Sequence, residues 1–400
     1  MPVVLLVLGV SALLSTVVAA VRVRRPAWFS LPIQLTSMLV GETPLFHAAL
    51  QVIALVGLGA AGAATGWAGW IGAVAMALSI AGLLVVQRNA RTAPPALRQA
   101  LADVVPSVRI EPRSWRSLVR PFHSSAAGIE IERDVAYGPD KRQRVDLYRP
   151  AGSPEGRPVL LYIHGGGWVS GDKRTQALTL LHEAARRGYV VVSANYRLAP
   201  RNKYPLWVQD VKAALVWVRA TIAQYGGNPE WVAVAGGSAG GHLAAVLATT
   251  PNEPSLQPGA EDVDTRVAAC VPLYGAFDFT DRWGIRGKIS MVSFLEKMVM
   301  SSKLAADRST WELISPAHRG GPDTPPFFVV HGAIDVLLYR EETRAFVDYL
   351  RGTGAPMVLY AELPHAQHAF DMIKSVRTFA TVDAILAFLD HVHAASVRPG

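Results

Sequence analysis

Two tracts of this chain carry no charge, and they limit its fold more than any other feature. The first, Val3–Val21, is nineteen residues of mostly Val, Leu and Ala. As a helix rising ~1.5 Å per residue it spans about 28 Å, close to the ~30 Å hydrocarbon thickness of a bilayer. The second, Ala48–Val86, is thirty-nine residues long. A single helix of that length would run about 58 Å, too long for one crossing. Gly66-Trp67-Ala68-Gly69-Trp70 divides it, and tryptophan suits a membrane–water boundary. The sequence therefore predicts a transmembrane region, residues 1–90, with three spans at 3–21, 48–64 and 70–86. Gly62 and Gly66 form a small-xxx-small pair expected to let helices touch closely. A cleaved leader would need positive charge ahead of the apolar run, and Met1-Pro2 has none.

Flanking arginines set the expected orientation. Arg22, Arg24 and Arg25 follow the first span, and Arg88, Arg91 and Arg98 follow the third, while the turn between the second and third is uncharged. The positive-inside rule then puts the N-terminus outside and everything after Val86 in the cytoplasm. The net charge of +8 is not gathered into a Lys/Arg tract with interleaved aromatics, so nucleic acid is excluded as its reason. Membrane lipids are the better partner. Ala93-Pro94-Pro95 reads as a break, and residues 91–128 as a basic linker or cap segment. If helical, Arg113, Arg116 and Arg120 share a face suited to anionic headgroups. The single cysteine, Cys270, excludes an internal disulfide and a cysteine metal cluster. No metal or cofactor is expected.

From Ile129 the pattern changes. Short apolar runs begin at Ile129, Val145, Val159, Val190, Val232, Val267, Phe327 and Met357. Helical stretches lie between most of them, which predicts βαβ units and an α/β fold with a mostly parallel sheet. The first two strands are too close for a crossover helix, so they are expected to pair antiparallel. Residues 278–315 break the alternation and read as an insertion over the sheet, within a catalytic domain of residues 129–400.

Chemistry collects beyond the carboxyl ends of such strands. Gly236-Gly237-Ser238-Ala239-Gly240 follows a strand and opens a small-residue helix, the layout of a nucleophile elbow. His164-Gly165-Gly166-Gly167-Trp168 follows the strand at Val159. Its glycines would turn backbone N–H groups toward a ligand, and with Ala239 they would form an oxyanion hole. His164 is expected to support that loop rather than act as a base. Neither Gly-x-Gly-x-x-Gly nor a Walker lysine is present, so a phosphate loop fits less well. Asp335 follows the strand at Phe327, and His365 and His368 follow the last strand. The order Ser238, Asp335, His368 is that of a serine hydrolase triad on this kind of sheet.

Together these strings resemble the hormone-sensitive-lipase-like branch of the α/β-hydrolases. The resemblance runs from about Ile129 to His393. It also rests on Asn195-Tyr196-Arg197-Leu198-Ala199-Pro200, Tyr204-Pro205, Asp210 with Ala213-Ala214-Leu215, Tyr225-Gly226 and His368-Ala369-Phe370. It implies an α/β-hydrolase fold and selects His368 over His365 as the base. It also implies a cap built from residues before the core and from the insertion after Tyr274. Two positions depart from the family. Gly237 stands where Asp, Glu or Thr is common, and Asp335-Val336-Leu337 where Asp-Pro-Leu is common. The expected function is a membrane-anchored serine carboxylesterase or lipase acting on a small-molecule or lipid ester. A deacetylase or amidase would use the same triad, and a non-catalytic receptor on this fold would have no need of His368.

Overall fold

The computed structural model describes residues 1–22, 27–110, 121–122, 125–152, 155–287 and 291–397, with backbone alone at 27–31. Arg24, Arg25 and the basic face of Arg113, Arg116 and Arg120 lie outside the described residues.

Eight strands form one sheet. They are β1 (Ile129–Ala136), β2 (Arg144–Pro150), β3 (Arg157–Ile163), β4 (Val190–Ala194), β5 (Gly227–Gly237), β6 (Ala269–Leu273), β7 (Phe327–Gly332) and β8 (Val358–Leu363). Their order is β1-β2-β4-β3-β5-β6-β7-β8. β1 and β2 pair antiparallel, as does β2 with β4, and every other neighbour is parallel. The central parallel strands are apolar over consecutive residues, such as 159–163 in β3 and 231–235 in β5, because both faces are covered. Alternate residues of β3 show this: Val159, Leu161 and Ile163 join one core and Leu160 and Tyr162 the other. The first core is covered by α7 (Leu206–Thr221), α8 (Ala239–Thr249) and α10 (Arg340–Gly352). The second is covered by α5 (Ala93–Leu101), α6 (Leu178–Arg186) and α11 (Val376–Val397). Cys270 is buried in β6, where burial pushes its thiol well up.

Among the described residues the N-terminal region holds four helices: α1 (Pro2–Ala20), α2 (Ala27–Glu42), α3 (Pro44–Ala60) and α4 (Gly66–Ala90). At one end Leu5 of α1, Ala63 of the α3–α4 turn and Met76 of α4 pack together. At the other end Ala19, Val40, Ala48 and Leu83 meet, one from each helix. So α1 and α4 run parallel, and α3 runs back between those ends. Thr16 and Ser79 share a 2.8 Å hydrogen bond between α1 and α4. By length and composition α1, α4 with α5, and α11 are apolar enough to cross a membrane, and the bent pair α2–α3 is a further candidate. In α11, however, thirteen residues are buried and many of them join the second core of the sheet.

Three local expectations are corrected. Gly62 and Gly66 lie at the turn with positive φ, and a Cβ on either would meet nothing within 4 Å. The close approach is made instead by Gly9 against Gly72 and by Gly69 against Ala63. Gly66–Trp70 does not divide the second tract, because it is the first turn of α4 and the break falls at residues 61–65. The break read at Ala93-Pro94-Pro95 falls just before it, at Arg91-Thr92, and the prolines open the next helix, since the first-turn N–H groups they lack have no intrahelical partner anyway. In α5, Ala93, Leu97 and Leu101 are fully buried against the catalytic core.

Of the 278–315 insertion, residues 278–287 and 291–315 are described. Leu295–Val299 wind as a π-helix, and α9 (Arg308–Leu313) is capped by the Asp307 side chain, which accepts from the Thr310 N–H.

Candidate active site

Ser238 lies between β5 and α8 with φ +57° and ψ −120°. That conformation is costly for a residue with a side chain, and the surrounding contacts impose it. A Cβ on Gly236 would strike the Gly240 carbonyl, and one on Gly240 would strike the Ile163 carbonyl. Only glycine lets α8 return so close to the strands. Gly165 is under the same constraint, since its Cβ would stand 2.5 Å from the Gly237 carbonyl oxygen and 3.1 Å from Ser238 Cβ.

β7 and β8 bring the other two residues to the serine. His368 Nε2 is 2.9 Å from Ser238 Oγ, and His368 Nδ1 donates to Asp335 Oδ2 at 2.6 Å. Asp335 Oδ1 accepts the N–H groups of Leu337 and Leu338, both at 2.8 Å. His331 Nε2 also approaches Oδ2, at 3.3 Å. Burial alone would raise the Asp335 pKa, but the His368 and His331 rings outweigh it and hold the carboxyl well below the usual range. His365 is exposed, and it is His368 that faces the serine.

The glycine loop lines the same cleft as Ser238 and His368, with one change from expectation. The Gly165 N–H donates to Gln176 Oε1 at 2.7 Å, so it is occupied. Among the described residues the N–H groups of Gly166 and Gly167 have no acceptor within the protein. Ala239 is the first residue of α8, where the N–H has no intrahelical partner. The candidate oxyanion hole is thus Gly166, Gly167 and Ala239. His164 packs against this loop. Its Nδ1 donates to the Gly165 carbonyl at 2.7 Å, its Nε2 faces Arg142, and its ring stacks on Tyr196. Burial lowers its pKa to about 4, so the ring is neutral near pH 7.

The departure at Gly237 has a physical counterpart. A Cβ there would stand 2.7 Å from the Tyr274 hydroxyl. That hydroxyl donates to buried Asp371, and the Tyr274 ring sits edge-on to His368 with centroids 4.7 Å apart. Burial raises the Asp371 pKa. Tyr274 therefore fills the space that a side chain at position 237 would need.

Ser238 and His368 open into a cleft of about 610 Å³, lined mostly by apolar side chains. Its walls include Met291 and Phe294 from the insertion, Leu337 and Leu338 after β7, and Leu35 and Met38 from α2. The N-terminal region also bonds to the loops that carry Asp335 and His368. Arg22 donates to the Asp335 carbonyl at 3.0 Å and to both Glu341 carboxylate oxygens at 2.8 and 3.1 Å. The Gln34 amide donates to the His368 carbonyl. Arg377 of α11 meets Glu42 of α2 at 3.0 Å, both buried. Sequence reasoning missed Gln176, Tyr274, His331, Arg22 and Gln34. Gln34 alone gave a signal, as an amide within an otherwise apolar run is costly unless it has a partner.

Residues 145–350 match the family model BD-FAE. The chain is 40% identical over 342 residues to "Probable carboxylic ester hydrolase LipM" of Mycobacterium tuberculosis (strain ATCC 25618 / H37Rv), covering 81% of this chain and 79% of that protein. It is 41% identical over 263 residues to "Esterase LipQ" of the same strain, covering 65% of this chain and 62% of LipQ. Among solved structures, the apo form of Thermogutta terrifontis esterase 2 superposes with a TM-score of 0.55 at 24% identity, over 69% of this chain and 98% of that one. That likeness supports the fold.

Proposed function

The chain belongs to the BD-FAE family of hormone-sensitive-lipase-like α/β-hydrolases and is a carboxylic ester hydrolase, and from that premise we propose that Ser238, His368 and Asp335 are its catalytic triad. The observation that carries the reading is the unbroken chain from Ser238 Oγ through His368 to Asp335, at 2.9 and 2.6 Å. As the Oγ–carbon bond forms, His368 Nε2 takes the hydroxyl proton. The oxygen that becomes negative is met by the N–H groups of Gly166, Gly167 and Ala239, each such donor being worth ~2.7–4 kcal/mol of barrier. Collapse breaks the bond to the alcohol, which leaves with the proton from the imidazolium. Water then repeats the sequence on the acyl-serine, releasing the acid and restoring Ser238. Asp335 keeps the His368 ring in the tautomer that this cycle needs. No metal or cofactor takes part in any step.

The anchor is part of the same proposal. α1, α3 and α4 cross the bilayer, and the hydrolase domain stands at the end where Ala19, Val40, Ala48 and Leu83 meet. The test is hydrolysis of p-nitrophenyl butyrate together with labelling by a fluorophosphonate. Wild type should be active and labelled. Ser238→Ala should lose label and about four or more orders of magnitude in kcat. Equal activity in that variant would remove Ser238 from the mechanism.

A further inference from the structure

Helix α2 is where the membrane helices and the reaction site meet. It bends from α3 by 88°, measured between Pro32–Glu42 and Pro44–Ala60. With α3 along the bilayer normal, α2 lies in the plane of the surface. Its place along the normal follows from packing, since Val40 joins Ala19, Ala48 and Leu83 at the catalytic end of the spans. Three described polar groups of α2 face the protein. Gln34 binds the His368 carbonyl, Ser37 donates to the Val18 carbonyl at 3.0 Å, and Glu42 pairs with Arg377.

The apolar residues of α2 have other surroundings. Leu35 and Met38 line the cleft that holds Ser238. Leu35 and Leu39, one turn apart on the same face, remain exposed. Phe294 and Met372, which also line the cleft, are exposed as well. Leu45 and Phe46, at the start of α3, continue the exposed apolar surface from α2 into the span. A site rimmed this way, beside helices suited to lipid, is apolar where an aqueous site would be polar.

We propose, building on the serine esterase reading, that α2 is an interfacial sill of the active-site cleft. Its substrates are long-chain esters resident in the bilayer that holds the enzyme. They pass over Leu35 and Leu39 into the cleft without first dissolving in water. The chemistry of partition favours this route. Each methylene buried in lipid makes escape to water about fourfold rarer, so an aqueous path closes rapidly as the acyl chain lengthens. A lateral path carries no such penalty. The cleft volume of about 610 Å³ is in the range that buries most of a small ligand.

The experiment uses the full chain reconstituted in vesicles of phosphatidylcholine with a fifth of phosphatidylglycerol. The probes are water-soluble p-nitrophenyl butyrate and 4-methylumbelliferyl oleate. The oleate is placed either in the enzyme's own vesicles or, in equal amount, in separate enzyme-free vesicles. Initial oleate hydrolysis should be at least tenfold faster from the shared bilayer, with butyrate hydrolysis the same in both arrangements. Equal oleate rates, or no oleate hydrolysis beside normal butyrate hydrolysis, would overturn the proposal. Absence of butyrate hydrolysis in wild type would instead overturn the esterase reading beneath it. Leu39→Glu puts a charge on the exposed face outside the cleft lining. It should cut shared-bilayer oleate hydrolysis about tenfold and leave butyrate hydrolysis within twofold. Unchanged oleate hydrolysis would remove α2 from the route.

Discussion

At the scale of single residues, the reaction site is governed by where side chains are forbidden. Ser238 holds a positive φ because Gly236 and Gly240 let the chain fold back on itself. Gly237 is a sharper case, because its missing side chain is replaced by Tyr274. In Gly237→Ala the new methyl would press on the Tyr274 ring and hydroxyl, and the ring would be driven toward His368. Small displacements of a base are expensive, with about a hundredfold in rate for roughly 1 Å. The substitution should lower kcat for butyrate hydrolysis by ten- to a hundredfold with KM within a few-fold. An unaltered kcat would show that Tyr274 yields in another direction. Asp335 illustrates the opposite situation, a group surrounded on purpose. Two backbone N–H groups and two imidazoles face its carboxylate. Asp335→Asn would offer an amide where His368 Nδ1–H needs an acceptor, favouring the wrong tautomer. The expected loss is about 10⁴ in kcat, read from the same assay with circular dichroism to confirm folding.

At the scale of elements, legibility in the sequence followed the strength of local pattern. The central strands were legible because short apolar runs between helical stretches have few other uses, and β1 and β2 because they follow each other too closely for a crossover helix. The elbow and the glycine loop were legible because their spacing is set by local backbone geometry, whereas the choice of His368 over His365 came from the family resemblance. α2 was not legible. Pro32, Gln34 and Glu42 interrupt its apolar run, and the partners of Gln34 and Glu42 lie more than three hundred residues away in sequence. The use of Gly165 was hidden because Gln176, later in the same connection between β3 and α6, folds back onto its N–H, which no local pattern marks. The tie between α2 and α11 can be tested directly. Arg377 is 1% exposed and its guanidinium has Glu42 as its carboxylate. Removing one partner of a buried pair leaves the other charge desolvated, typically at 3–5 kcal/mol. Glu42→Ala should therefore lower the midpoint for thermal loss of butyrate hydrolysis in vesicles by about 5 °C or more. A midpoint within 1 °C would mean that water reaches Arg377.

At the scale of the whole molecule, stability and orientation both follow from charge. His164 and His242 are buried and neutral, with pKa values lowered by burial to about 4 and about 3. The unfolded chain takes up these protons near pH 6.5, whereas the folded chain resists until well below. Stability is therefore full above pH 6.5 and falls as pH drops, by about 3 kcal/mol per histidine by pH 4.5. Thermal scans of the full chain should show a steady decline over that window, and a flat profile would contradict neutral burial. Orientation rests on the arginines at the ends of the helices. Arg22 follows α1, and Arg88 and Arg91 close α4 and the turn after it. Since α1 and α4 run parallel, all three stand at the end where the hydrolase domain docks. The opposite end, at the α3–α4 turn, carries no charge between Ala61 and Thr65. Arginine is retained on the cytoplasmic side during insertion, so the hydrolase domain should face the cytoplasm and residue 1 the exterior. Protease added to right-side-out vesicles should spare the hydrolase domain while removing an N-terminal epitope tag, and inside-out vesicles should give the reverse. Digestion of the domain from the outside would invert the topology. It would leave the cleft beside α2, but open to esters of the outer leaflet instead of the inner one.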